Sequence, residues 1–157
     1  MQTFLPDPDF SVSASLLDAK RLGKQRVEAL QVFRALHVPG YGWRHHPAAA
    51  MWRGFDEALV AYGVAICDAW VALGHADTVR STLVAELGRA PRSQAELDRL
   101  GLLPPWLGDE AFHRSHRSAL VRKDPQRYRA MFPDVADDLP YVWPSSAETD
   151  RRADPAG

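Results

Sequence analysis

Apolar positions along the chain recur at helical spacing in several long runs, and the strict alternation of a strand is absent. Between Leu16 and Leu36, at about 100° per residue, Leu22, Ala29, Leu30, Phe33 and Leu36 share one side, while Arg21, Lys24, Gln25 and Glu28 gather on another. The pattern predicts an amphipathic helix over residues 16–36, capped by Ser13 or Ser15 and stopped before Pro39-Gly40. Residues 1–15 carry Pro6 and Pro8 and are expected to be extended or turning. Pro47 suits the first turn of a short helix that Gly54 interrupts. The run from Asp56 to Leu73 is apolar almost all round, the mark of a central buried helix, which Gly74 ends. Asp77 can cap a helix closed by Gly88, and Ser93 with Glu96 has the spacing of a capping box for a helix reaching Leu100. Trp106 lies in a proline-containing turn and is expected to pack on the core; Asp109 starts a helix through Lys123, and Pro125 opens a short last one. From Pro133 onward the chain is acidic and proline-rich. These elements predict an all-α fold, a single compact helical domain over residues 1–143 built around the central helix, with a disordered C-terminal tail over 144–157.

A chain of 157 residues is long enough for one sizeable core. Formal net charge is −1, so affinity for nucleic acid has to come from local clustering of cations. The single cysteine, Cys67, excludes an intramolecular disulfide and a multi-cysteine zinc site, and its apolar neighbours predict a core position. No apolar run reaches the roughly 18 residues that span a bilayer, and the start of the chain lacks the basic and apolar parts of a signal peptide. A cytoplasmic, monomeric protein with no membrane partner is expected.

Three clusters carry candidate chemistry. On the first helix a lone carboxylate, Glu28, stands among Arg21, Lys24 and Gln25, an arrangement suited to an anionic polymer. Its bland alternative is a solvated Lys24–Glu28 pair contributing a few tenths of a kcal/mol. Arg26 falls on the core side of the same helix and needs an acidic partner or a route to solvent. The second cluster is the loop Tyr41, Trp43, Arg44, His45 and His46, followed by Trp52 and Arg53, in which rings can stack on bases while cations meet phosphates. Trp43 can equally anchor the loop to the core. The third is His113, Arg114, His116, Arg117 and Lys123, a candidate phosphate footprint, although His116 shares a helical sector with Phe112 and Ala119 and suits a buried imidazole. The histidine pairs lack the spacing of a zinc site, so neither a metal nor another cofactor is expected. Phosphate-loop, dinucleotide-binding and nucleophile-elbow motifs are all missing.

Taken in order, RLGKQRVEALQVF from Arg21, RHHP and MWRG between Arg44 and Gly54, the long central helix, and HRSHRSALVRKDPQRY from His113 resemble the pyrimidine-dimer DNA glycosylase family of the endonuclease V type. The resemblance is to its cellular relatives more than to the phage enzyme and spans roughly residues 1–130. It implies a small all-α enzyme that needs no metal and acts on damaged or modified double-stranded DNA. An amine attacks the sugar C1′, the base leaves, and the resulting imine permits β-elimination of the 3′ phosphate. Glu28 matches the family's catalytic glutamate, which stabilises the cationic sugar and carries protons. The phage enzyme's nucleophile is the α-amine of a small residue uncovered when the initiator methionine is removed. Here Gln2 follows Met1 and is expected to leave the methionine in place, so the amine is that of Met1 or of Lys24. Arg21, Lys24, Arg26, Arg44, His45, Arg114, Arg117 and Lys123 would hold phosphates, with Trp43 or Tyr41 wedging or stacking a flipped base. Two other classes fit the same residues: a non-catalytic nucleic-acid-binding module, and an enzyme of nucleotide or modified-base metabolism using its histidines.

Overall fold

The computed structural model describes residues 1–144, among which there are eight helices and no strand. The first helix, α1 (Phe10–Leu16), begins at Asp9, whose carboxylate accepts from the Val12 amide at 2.9 Å. Leu17 then leaves helical geometry, with φ −78° and ψ 140°, and Asp18 caps α2 (Ala19–His37). The helix expected over residues 16–36 therefore begins only at Ala19, and most of α1 lies in the stretch expected to be extended or turning, the two helices meeting at a corner. Ser13 and Ser15 cap neither; they lie inside α1 and donate to the carbonyls of Asp7 and Val12. The corner is fixed from far along the chain, because the Tyr128 hydroxyl donates to Asp18 at 2.5 Å and accepts from the Asp18 amide at 2.9 Å. Burial works against the Asp18 carboxylate, but the bonds from Tyr128 and Arg21 outweigh it and hold its pKa below the usual value.

The remaining helices follow the sequence signals closely: α3 (Pro47–Ala50), α4 (Asp56–Ala72), α5 (Val79–Leu87), α6 (Gln94–Arg99), α7 (Glu110–Lys123) and α8 (Pro125–Met131). The Ser93–Glu96 capping box is formed, and Gly88 closes α5 with a left-handed φ of 90°. Central α4 packs against α1, α2 and α5. Gly63 lets its neighbours come close, since a Cβ there would stand 2.6 Å from Leu83 Cδ1 and 3.3 Å from Ala29 Cβ. Burial of α4 is confined to one face and ends at Cys67: Val71 and Leu73 near its end are 49% and 54% exposed. The core contains Phe10, Trp52, Tyr62, Trp106 and Phe112, with Trp52 edge-on to Trp106 at 4.9 Å. Trp52 thus belongs to the core and not to the loop that precedes it. Cys67 is buried and free, and burial pushes its thiol up to about 12.

The chain start is the unusual part of the architecture. Residues 2–5 are buried without belonging to a helix or sheet, so their backbone groups must find partners elsewhere. Side chains supply them from both flanks. On one flank Phe4 N donates to Gln25 Oε1 at 2.8 Å, and the Tyr62 hydroxyl lies 2.9 Å from the Phe4 carbonyl oxygen that accepts from it. On the other, Leu5 N donates to His116 Nδ1 at 2.9 Å and Leu5 O accepts from His113 Nδ1 at 2.8 Å. The N-terminal segment is therefore a wedge between the α2–α4 pair and α7.

Residues 133–144 run back along α7 instead of trailing away. Leu139 N and Val142 N donate to Ser118 Oγ and Ser115 Oγ at 3.0 and 3.1 Å, and Val135 is buried. The disordered tail expected from residue 144 lies, beyond Pro144, outside the described residues. Among the described residues no helix is long and apolar enough to cross a membrane.

Candidate active site

Helical spacing on α2 brings Arg21, Lys24, Gln25 and Glu28 to one side, as the wheel predicts, but half of that side is not solvated. Gln25 and Glu28 are 1% and 7% exposed because the N-terminal wedge covers them. The Gln25 amide is oriented by its surroundings. Its Oε1 accepts from the Phe4 amide and lies 2.9 Å from the Tyr62 hydroxyl, which leaves Nε2 to donate to Glu28 Oε2 at 2.6 Å. Burial, with the Glu28 charge adding to it, pushes the Tyr62 phenol well above its ordinary pKa, so it remains a donor. One oxygen of Glu28 is thereby fixed. The other faces two amines: Met1 N at 4.0 Å and Lys24 Nζ at 3.7 Å. These differ sharply in setting, the Met1 side chain being 3% exposed and that of Lys24 71%.

The group forms the floor of a cleft of about 370 Å³. Lys20, Arg21 and Lys24 from α2 and Lys123 from the end of α7 line it, together with Gln2, Phe4 and Tyr141. Partial burial, then the neighbouring Lys24, Arg21 and Arg122, lower the pKa of Lys123, opposed by Glu28. The cleft is thus a local concentration of positive charge in a chain of near-neutral total. A larger groove of about 640 Å³ runs between α1, the start of α2 and α4, but it is lined by alanines and leucines. Its acids are already engaged, Asp18 by Tyr128 and Arg21 and Asp68 by Arg80, whereas the smaller cleft brings an amine and a carboxylate together.

The other candidate residues fall into three groups. Trp43, Arg44 and His45 are exposed on the loop, with Trp43 49% exposed, and Tyr41 is half-buried. His46 caps α3, its Nδ1 accepting from the Ala48 amide at 3.0 Å. Burial, then the nearby Met1 amine, lower the His46 pKa, and Glu28 opposes them. Ring contacts continue inward, Trp43 to His46 at 5.6 Å, His46 to Trp143 at 6.0 Å and Trp143 to Tyr141 at 5.4 Å. The loop and the cleft are therefore joined by an aromatic path. Tyr141 and Trp143, with Gln2 and Lys20, are the cleft-side residues that sequence reasoning passed over. The apolar triplet Tyr141-Val142-Trp143 inside an acidic stretch was the available signal.

Arg26 lies apart from the cleft: it pairs with Asp77 and stacks on Trp70 at 4.9 Å, tying the start of α5 to α2. His113 and His116 are fully buried and clamp Leu5, which places them behind the site and away from any phosphate. Both are neutral in this setting: burial, then the His113 charge, push His116 down to about 3, and burial lowers His113 against the pull of the Leu5 carbonyl. Arg114 donates to the Asp134 carbonyl and Arg117 to that of Pro6, as well as pairing with Glu110. The basic block on α7 is thus engaged largely with the chain's own backbone, and Lys123 is its member at the cleft. Among the described residues no group of three or more His, Cys, Asp or Glu side chains is placed to hold a metal ion.

A family model described as pyrimidine dimer DNA glycosylase matches residues 1–82, which include the N-terminal wedge, α2, the aromatic loop and α4. The block from His113 to Tyr128 lies outside that match. No curated protein and no solved structure matches the chain.

Proposed function

The chain belongs to the pyrimidine dimer DNA glycosylase family, and from that premise we propose that it excises a damaged or modified pyrimidine from double-stranded DNA and cleaves the abasic site through an amine–sugar imine. One observation carries the reading: the α-amine of Met1, whose side chain is buried, and a fixed carboxylate face each other at 4.0 Å in a cation-lined cleft.

In this reading Met1 N bonds to C1′ as the C1′–N1 bond breaks and its electron pair leaves with the base. Glu28 takes the proton released by the amine. Collapse of the amine lone pair then opens the C1′–O4′ bond, O4′ receives the proton from Glu28, and a protonated imine remains. Loss of a C2′ proton to the carboxylate allows the C3′–O3′ bond to break and the phosphate to leave. A carboxylate held by Gln25 does not have to reorganise as positive charge develops beside it. Met1 is the better-placed amine because its side chain is buried and anchors it beside Glu28, whereas the Lys24 side chain is largely solvated and serves, with Lys20, Arg21 and Lys123, as a phosphate contact. Trp43 and Arg44 extend the contact surface along the duplex.

Borohydride trapping on a duplex carrying an abasic site tests the reading. The expected result is a covalent adduct that maps to the N-terminal peptide, survives Lys24→Arg, and disappears when the α-amine is blocked. Glu28→Gln should retain DNA affinity while lowering strand cleavage by about a hundredfold or more. DNA binding with no adduct would leave a non-catalytic binding module instead. Equal loss of binding and cleavage in Glu28→Gln would make Glu28 a structural residue.

A further inference from the structure

Among the described residues, buried side-chain nitrogens without a hydrogen-bond partner occur in Gln2, Arg21, Arg26 and His116. The two arginines are engaged through their other nitrogens with Asp18 and Asp77, and His116 is sealed in the core against Phe4 and Phe112. Gln2 is different. It is 5% exposed, it lines the cleft, and it is joined by one peptide bond to the residue that carries the amine. Its Oε1 accepts from the Thr3 amide at 2.9 Å, which fixes the carboxamide and leaves Nε2 as a donor without an acceptor. The Tyr141 hydroxyl stands next to that donor, near enough that the Gln2 amide works against the rise burial imposes on the phenol pKa, yet outside hydrogen-bond geometry, so a carbonyl oxygen can displace it.

A neutral amide donor is a poor competitor for phosphate when Lys20, Arg21, Lys24 and Lys123 line the same cleft. It fits a carbonyl oxygen. Resting on the imine-forming reading above, we propose that Gln2 Nε2 donates to the C2 carbonyl oxygen of the pyrimidine being excised and stabilises that base as it leaves. As Met1 N bonds to C1′ and the C1′–N1 bond breaks, the electron pair passes onto N1 and is shared with O2. The amine proton goes to Glu28, and the departing anion takes a proton from water. The donor therefore meets a charge that is small in the bound substrate and large in the transition state, where such a contact accelerates the reaction. The entering base takes the place of Tyr141 against the amide. Gln2 has no part in the later β-elimination, because the base has already gone.

That division gives the test. Full-length wild type and Gln2→Met, which keeps the side-chain length and a large second residue, are assayed on two duplexes. One carries a thymine dimer and reports base release; the other carries a preformed abasic site and reports strand cleavage and borohydride trapping. Gln2→Glu, which retains the acceptor for the Thr3 amide, serves as the second variant. The expected result is base release slowed about a hundredfold in both variants, with cleavage and trapping at the abasic site close to wild type. Equal slowing on the two duplexes overturns the proposal and makes Gln2 a support for the Met1 backbone. Unchanged rates on both also overturn it. A wild-type chain that forms no adduct at the abasic site overturns the imine reading itself, an outcome distinct from the other two.

Discussion

His116 makes a single hydrogen bond, to Leu5 N, and its other ring nitrogen carries a proton with no acceptor. Protonating the ring would remove the acceptor that Leu5 needs and place a charge in the core. The folded protein therefore holds this imidazole neutral down to about pH 3, while the unfolded chain protonates it near its reference value of 6.5. A base whose folded pKa is depressed takes up more protons when unfolded, so its contribution is complete above pH 6.5 and is lost as pH falls toward 3. The slope for one such group is about 1.4 kcal/mol per pH unit, and His113 acts in the same direction. Carboxylates enter later: the Arg92 hydrogen bond holds Glu57 down at about 2 against a reference of 4.5. Between pH 6.5 and 4.5 the histidines with lowered pKa, His113, His116 and the less buried His46, therefore govern acid sensitivity. Thermal unfolding followed across that window should show a falling midpoint, and His116→Gln, which keeps an acceptor for Leu5 N, should flatten it. A midpoint unchanged down to pH 4.5 would contradict this account.

Gly63 sets how closely three elements approach. Leu83 of α5 and Ala29 of α2 both reach the space where a side chain would begin, and Ala29 belongs to the helix that carries Glu28. Gly63→Ala removes a helix-weakening residue, but the added carbon meets the end of the fully buried Leu83 side chain and the Ala29 Cβ, which is fixed to its backbone, and this crowding outweighs the gain in propensity. A net loss of about 1–3 kcal/mol is expected, read by chemical denaturation. Gly42→Ala, with nothing near the added carbon and no left-handed φ, should be close to neutral. Most helix bounds were legible because the signals are local, as in the Ser93–Glu96 box or Pro125 at the start of α8. The corner at Leu17-Asp18 was not, since Tyr128 decides it from 110 residues away. The same holds for the site. Glu28 and Lys24 could be picked out as a carboxylate and a cation on one face, but a helical wheel treats that face as open to water. What buries Gln25 and Glu28 is residues 1–5, and an extended segment leaves no periodicity that would reveal where it packs. Tyr141 and Trp143 escaped for a related reason: their surroundings read as an acidic, proline-rich stretch with no helical period, while the serines that hold that segment lie on α7.

Across the whole molecule a net charge of −1 coexists with a cleft lined by four cations, Lys20, Arg21, Lys24 and Lys123. The guanidinium groups of Arg114, Arg122 and Arg129 donate to the backbone carbonyls of Asp134, Asp137 and Val135, which leaves them less free to meet phosphates than their number suggests. DNA affinity should accordingly fall with salt as the cleft alone dictates, with a slope of log K against log salt of about −3 to −4. Filter binding or fluorescence anisotropy at several salt concentrations would measure it. A slope near twice that value would mean that the α7 arginines leave their carbonyls and join the interface. Lys20→Ala and Lys123→Ala should each reduce the slope by about one.

Leu5 is gripped by His113 and His116, 108 and 111 residues further along the chain. During synthesis the start of the chain emerges first, yet the groups that seat it are among the last helical residues made. At about 5–20 residues per second, the amine waits on the order of ten seconds for its clamp, and closing so long a loop adds an entropic delay. An incomplete chain carries Glu28 with no nucleophile held against it. On the imine mechanism proposed above, the amine and its carboxylate come together only when the polypeptide is nearly finished, so a product truncated before His113 is expected to form no adduct with abasic-site DNA.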